Sequence, residues 1–369
     1  MKHLIFAQIL AIAALCSCTR PQSGNHLAFQ DVSFVKTFQE EIAPQKAIPV
    51  HLDQIGLKDF KIVDSLMLTS SRKGDSSGNM IGAFSLKSLK RKTSFLKMGK
   101  GPEEILHSPS FISVSMSNAN DSVRMHLLNG RGGVLSINLC QSLKEGRLNC
   151  SIEDDGIPEE LMQSWIRRGP KEYICAGLDE STMCRNRYIL RNGVKAYSKN
   201  QEILNSARFK SNMDDGFSFN ALSAMMAYSP KTGRVVEAQL QLNEINIYSL
   251  DGQFAKTVCV GKKLDDIDET AALDMADKKI EYQNLKTYPS FIAALYLGTN
   301  RKEKELFRRV LPVIQIFSWD GKPLCRIALQ HQASSFDFDL KNKTLYTLDS
   351  ADDSMYEYVF SNTPKFLKY

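Results

Sequence analysis

The amino-acid sequence predicts an all-β chain closed into a single six-bladed β-propeller, and three observations predict it. From about Phe29 to the C-terminus, short runs of alternating apolar and polar residues are separated by turn residues, as in Val123-Arg124-Met125-His126-Leu127. One local unit recurs: Ile247-Tyr248-Ser249-Leu250-Asp251-Gly252-Gln253-Phe254 is matched 69 residues on by Ile316-Phe317-Ser318-Trp319-Asp320-Gly321-Lys322-Pro323. Dividing about 340 residues by six gives roughly 57 per blade, a kelch-like blade of ~50 residues lengthened by insertions, with seven shorter blades as the alternative.

The first element in chain order is an export signal. Lys2 gives a positive start, and Leu4 to Leu15 is apolar except for Gln8. These twelve residues are too few to span ~30 Å of hydrocarbon as a helix, so they read as the apolar region of a signal peptide. They end in Leu15-Cys16-Ser17-Cys18, which resembles a bacterial lipobox: an aliphatic residue, a small residue before the scissile bond, then the cysteine that accepts the lipid. Cys16 is the poorer acceptor because Leu15 would precede the cut; a plain secretory signal with two idle cysteines is the alternative. Residues 1–17 are therefore expected as signal peptide, 18–29 as lipidated Cys18 and a flexible polar tether, and 30–369 as the propeller. The tether lacks an acidic cluster of the surface-export kind, which points to a periplasm-facing protein on the outer membrane.

Within the propeller, strands are expected over Lys61 to Leu68, Met80 to Leu86, Phe111 to Met116, Val123 to Leu128, Val134 to Leu139, Tyr173 to Leu178, Arg187 to Leu190, Val235 to Leu240, Ile245 to Leu250 and Phe254 to Val260. Pro158 to Ile166 and Leu264 to Leu285 read as helical insertions at blade rims. Asp-Gly favours two-residue hairpin turns with both central residues at positive φ. A looser copy of the repeat, Leu127-Leu128-Asn129-Gly130, lies close to two periods upstream of Asp251. The segment Val32 to Phe38 is expected to pair with the last blade near Tyr346 to Phe360 and close the ring.

Composition excludes more chemistry than it suggests. The net charge of +6 is scattered, and the longest basic stretch, Lys87 to Lys97, is interrupted by Ser, Leu, Thr and Phe. No nucleic-acid face is expected from such a pattern. The six body cysteines, Cys140, Cys150, Cys175, Cys184, Cys259 and Cys325, contain no CxxC and allow fifteen pairings, with free buried thiols equally open. The histidines, His3, His26, His51, His107, His126 and His331, show no ligand spacing, and no P-loop, HExxH or Gly-x-Ser-x-Gly is present. Carboxylates are more plentiful: Asp154-Asp155, Glu159-Glu160, Asp214-Asp215, Asp265-Asp266, Asp268 and Asp352-Asp353. Converging in a central funnel they would suit acid–base work on a sugar or Ca²⁺, although acids in turns are ordinarily just solvated. Trp165, Tyr173, Tyr282 and Tyr288 are candidates for a sticky rim, or for blade packing.

The stretch Phe95-Leu96-Lys97-Met98-Gly99-Lys100-Gly101-Pro102-Glu103-Glu104 resembles the Gly-x-Gly-Pro-x-Glu turn of TolB-like six-bladed propeller lipoproteins of Bacteroidetes. Phe291 to Gly298, Ile314 to Gly321, Phe336 to Asp339, Thr344 to Asp349 and Met355 to Val359 are similar to the same family. The resemblance covers roughly residue 30 to the end. It implies a TolB-like or NHL-like ring and carries over no catalytic residue. The amides around Gly99 and Gly101 would form an anion-binding nest or a simple inter-blade turn. The expectation is a binding module, tethered to the membrane through Cys18, that offers the propeller to an envelope protein or glycan, with no cofactor and no catalytic residue assigned. The alternative is a carbohydrate- or peptide-processing lyase or hydrolase with its site in the central funnel.

Overall fold

The computed structural model describes residues 24–43, 46–101, 103–111, 115–119, 122–128, 133–153, 157, 162–179, 182–208, 221–302, 310–360 and 362–367. Six sheets are arranged as blades. The chain opens with three short strands, β1 (Val32–Val35), β2 (Glu40–Ile42) and β3 (Lys46–Pro49), which belong to later blades. Blade 1 is β4 (Leu57–Val63), β5 (Leu66–Ser71), β6 (Asn79–Ser85) and β7 (Arg91–Met98), with the short β8 (Glu104–Ile105) parallel to β7. Blade 2 is β9 (Ser115–Ala119), β10 (Ser122–Leu128), β11 (Val134–Asn138) and β12 (Cys150–Glu153). Blade 3 is β13 (Met162–Gly169), β14 (Glu172–Leu178), β15 (Arg185–Arg191) and β16 (Val194–Ala196). Blade 4 is β17 (Ala224–Ser229), β18 (Arg234–Gln239), β19 (Glu244–Ser249) and β20 (Ala255–Val260). Blade 5 is β21 (Lys279–Thr287), β22 (Phe291–Asn300), β23 (Val313–Ser318) and β24 (Pro323–Ala328), and blade 6 is β25 (Ser335–Asp339), β26 (Thr344–Asp349) and β27 (Ser354–Val359). The first strands of successive blades, including β25 beside β4, meet around the axis.

The apolar residues make no single core. They fall into six clusters, one in each gap between neighbouring blades. In β14, Tyr173 and Cys175 point toward blade 2 while Ile174 and Ala176 point toward blade 4. A sheet buried on both faces reads as a short, nearly continuous apolar run, which is why so many strands are visible in the sequence. The gap between blades 5 and 6 is filled by Phe291, Phe336, Phe338 and Phe366 in edge-to-face contact.

The ring closes differently from the expectation. Val32–Val35 does not reach the last blade; it runs parallel to β20 on the outside of blade 4. Glu40–Ile42 then lies parallel to β24 on blade 5, and only Lys46–Pro49 completes blade 6, antiparallel to β27. The N-terminal chain therefore laces three blades in turn before it becomes the innermost strand of blade 1. The last residues of the segment expected as a tether, 18–29, pack against the ring. Leu27 and Phe29 are buried between blades 3 and 4, and Asn246 Nδ2 donates to Leu27 O at 2.9 Å. Cys18 and residues 1–23 lie outside the described residues.

Other expectations need correction. Lys61 to Leu68 spans the β4–β5 hairpin, turning at Asp64 with φ +52°. The helix expected over Pro158 to Ile166 is strand β13 from Met162 on, with Trp165 facing blade 2 and Ile166 facing blade 4; residues 158–161 are not described. Of Leu264 to Leu285, only Ile267–Ala272 (α3) is helical, while α1 (Leu139–Glu145) and α2 (Lys199–Asn205) were not anticipated. Turns follow the helix, and from Lys279 the chain is β21, whose irregularities at Ile280/Tyr282 and Tyr282/Asn284 put Tyr282 and Leu285 on one face and imitate a helical spacing. The repeated Asp-Gly units are the outermost hairpins of blades 4 and 5, but only Gly252 (φ +81°) and Gly321 (φ +76°) are left-handed. The looser copy at Asn129-Gly130 is not described, and it joins β10 to β11, the middle hairpin of its blade.

Candidate functional site

At the end of the ring where the innermost strands finish, the turns of blades 5, 6 and 1 enclose a cavity of about 950 Å³. Its wall includes Lys61, Lys286, Tyr288, Asp337, Leu340 and Tyr346. Lys61 and Lys286 also line a second cavity of about 270 Å³ on the axis, with Met116, Ile166, Arg167, Met226, Tyr228 and Leu285. Five blades contribute to that smaller space. Among the described residues its lining carries three cations, Lys61, Arg167 and Lys286, and no acid.

The nearby carboxylates hold the walls together. Asp59 accepts from Phe60 N (2.8 Å), Ser335 Oγ (2.5 Å), Phe111 N (2.7 Å) and Ser110 Oγ (3.1 Å), joining blade 6, blade 1 and the chain leading to blade 2. Asp337 accepts from Ile62 N (2.8 Å), Phe338 N (2.9 Å) and Tyr288 Oη (2.5 Å). Burial and Asp337 push the Tyr288 phenol well above its usual range, so it remains a donor. Carboxylates so fully engaged by wall donors are poorly placed to take a proton from a substrate. Lys286 Nζ donates to Phe60 O at 3.2 Å and stands 3.9 Å from Asp59 Oδ1. Lys61 differs: no described residue accepts a hydrogen bond from its Nζ, and it is half-buried in the lining of both cavities. Burial pushes its ammonium below the ordinary lysine value, and Lys286 adds to this against the pull of Asp337 and Asp59. Arg167 is held to Glu153 at 2.8 Å, and burial together with Arg167 pushes the neighbouring His126 down to about 4, so that ring is neutral.

The residues singled out in the sequence go elsewhere. Asp154-Asp155, Glu159-Glu160 and Asp214-Asp215 lie outside the described residues. Asp266 caps α3, accepting from Asp268 N and Glu269 N, while Asp352 and Asp353 accept from Ser354 N and Gly56 N in turns. Among the described residues, no group of three or more His, Cys, Asp or Glu is arranged to hold a metal. Trp165, Tyr173 and Tyr282 are buried between blades and form no rim; Tyr288 alone reaches the cavity. The six body cysteines are free thiols. The Gly99–Gly101 turn holds its own anion: Glu104 carboxylate accepts from Gly101 N at 2.6 Å, and a Cβ on Gly99 would stand 2.0 Å from Glu104 Oε2. The motif's glycines and its glutamate are thus one unit, an inter-blade turn with its nest already filled. Lys61, Lys286 and Arg167 were missed because each is an ordinary cation in the second half of a strand; the signal emerges once those strands are known to be innermost.

A crystal structure of Raptor from Chaetomium thermophilum is similar over 84% of this chain and 28% of its own, at 11% identity and a TM-score of 0.46. The C-terminal WD40 domain of Sif2 is similar over 82% of this chain and 69% of its own, at 7% identity and a TM-score of 0.37. The Cps50 (Swd1) β-propeller domain of Myceliophteria thermophila is similar over 85% of this chain and 98% of its own, at 8% identity and a TM-score of 0.42. This chain spans less than a third of the Raptor chain it matches. No curated protein sequence matches it. The family described as TolB-like 6-blade propeller-like matches residues 58–342, well over half the sequence, covering five of the six blades and the first strand of the sixth. With six sheets around one axis, the chain belongs to the TolB-like six-bladed propeller family.

Proposed function

We propose that the chain is a lipid-tethered binding module of the bacterial cell envelope, held to the outer membrane through Cys18, that takes a glycan into the cavity at the finishing end of its innermost strands. The observation that carries this reading is the cavity itself, whose volume of about 950 Å³ suits one small ligand and is too concave for a flat protein contact. Its lining alternates polar groups (Asn342, Thr287, Lys87) with apolar ones (Phe338, Leu340, Tyr346), the mixture that a sugar with one apolar and one hydroxyl-rich face requires. Loops on a rigid scaffold are where binding residues concentrate, and every blade offers its turns to this end.

Binding of the purified chain to an array of envelope oligosaccharides tests the ligand. A defined subset should bind, and Leu340→Trp, which fills the cavity from an exposed wall position, should abolish it. Silence across the array together with stable capture of an envelope protein would overturn the glycan reading. The anchor is tested separately: Cys18→Ala should release the chain from membranes into the soluble fraction, and retention despite the substitution would refute it.

A further inference from the structure

Three observations single out the junction of the two cavities. Lys61 and Lys286 line both spaces, so the two cavities adjoin at these side chains. The axial space gathers cations from blades 1, 3 and 5 and has no described acid in its lining, although Arg167 pairs with Glu153 and Lys286 approaches Asp59 from behind the wall. Asp59 and Asp337 stand behind the lysines, engaged by backbone amides and hydroxyls of the wall, and Lys61 Nζ has no hydrogen-bond acceptor among the described residues. A partly buried ammonium without an acceptor is costly, and a ligand that supplies one recovers that cost.

Resting on the glycan reading above, we infer that the ligand carries an oxyanion, a carboxylate, phosphate or sulfate, which enters the axial space and accepts from Lys61, with Arg167 and Lys286 supplying the surrounding positive field. The space of about 270 Å³ admits such a group with one or two adjoining atoms, while the rest of the ligand stays in the larger cavity. Met116, Met226 and Leu285 line the same space with apolar groups, and a less polar surrounding strengthens a charge-assisted bond. The ligand class is therefore an acidic saccharide, and a neutral one would give Lys61 no charged acceptor.

Calorimetric titration of the mature chain in detergent tests this with four probes: a glucuronate oligosaccharide, its neutral glucose counterpart, inorganic phosphate and sulfate. The acidic oligosaccharide should bind roughly tenfold or more tightly than the neutral one, with the gap shrinking in salt. Lys61→Met should erase the gap and Lys61→Arg should keep part of it. Affinity should fall as pH rises through the Lys61 titration, because only the ammonium donates. Equal binding of the two oligosaccharides, or an undiminished gap in Lys61→Met, overturns the oxyanion inference and leaves the glycan reading standing. Binding of phosphate or sulfate that depends on Lys61, with both oligosaccharides silent, sustains the oxyanion site and overturns the glycan reading. Silence of every probe overturns both. Should Lys61→Met fail to fold, NMR of the reductively ¹³C-methylated wild type decides: the Lys61 signal must shift on adding the anion, and an unmoved signal refutes the inference.

Discussion

In blades 4, 5 and 6 the outermost strand of each sheet is paired with a piece of the N-terminal chain, β1 on β20, β2 on β24 and β3 on β27. In blades 2 and 3 no further described strand pairs with the outer edge of β12 or β16, and blade 1 is covered only by its own short β8. The bare edges are four and three residues long, short enough to limit edge-to-edge association even though Ile152 and Val194 are exposed. The difference teaches where the ring gets its closure. Asp31 O accepts from Thr257 N, and Gly261 N donates to Val35 O, so the lacing joins residues more than two hundred positions apart. Such pairing cannot form until the second half of the chain exists, and it carries the closure entropy of a long loop.

The seam between the halves is the strongest test. Arg187 Nε lies 2.8 Å and Arg185 Nε 3.5 Å from the Glu237 carboxylate, and Tyr248 Oη donates to it at 2.9 Å, all fully buried between blades 3 and 4. Burial alone would raise the Glu237 carboxyl, but the two guanidiniums hold it below the usual range. Its contribution is therefore present at neutral pH and is lost as pH falls through that lowered value. Glu237→Ala should cost about 3–5 kcal/mol in urea unfolding, because two buried cations lose their partner. A single transition is expected; two separated ones would show that the bare half unfolds apart from the laced half.

The lacing itself is tested by Phe29→Ala, which empties a site against Tyr248, ring centroids 5.8 Å apart, at a cost of about 3 kcal/mol. Hydrogen exchange should accelerate in β20 and β24 and stay unchanged in β12 and β16. Equal acceleration everywhere would mean that the strap stabilises the ring as a whole and not blade by blade.

The smallest effect expected is a gain. Glu281, buried in blade 5 near Asp265, is pushed up to about 7, with burial as the main cause and Asp265 the second. A folded value raised above the unfolded one means that stability is full in acid and declines as pH rises from about 4.5 through 7. Glu281→Gln should flatten that decline and stabilise the chain at pH 8 on the order of 1–3 kcal/mol, read from thermal melts across pH. An unchanged pH profile would remove Glu281 as its source.

Much of the ring was legible because each blade is buried on both faces, so strands such as Glu244–Ser249 and Glu172–Leu178 are compact apolar runs between turns. The blade period was legible only where the outermost hairpin keeps Asp-Gly, at Asp251-Gly252 and Asp320-Gly321. Blade 6 has no such hairpin of its own, since its last strand comes from Lys46–Pro49, and nothing local in the sequence marks that long-range pairing. β21 was misread because its bulges replace strict alternation with a three-residue spacing between Tyr282 and Leu285. The site was illegible for a related reason. Lys61, Arg167 and Lys286 look like ordinary strand cations, and only the ring turns them toward one axis.

The lacing has an orientational consequence. Asn25 and His26 are fixed to Asp266 and Asp265, at the end of the ring where β21 begins, while the cavity lies where β21 finishes. From Cys18 to Gly24 there are six residues, which reach at most about 20 Å when fully extended. An anchor at Cys18 would hold that end of the propeller against the lipid headgroups and turn the cavity outward, so the protein would work as an inlet facing away from its own membrane.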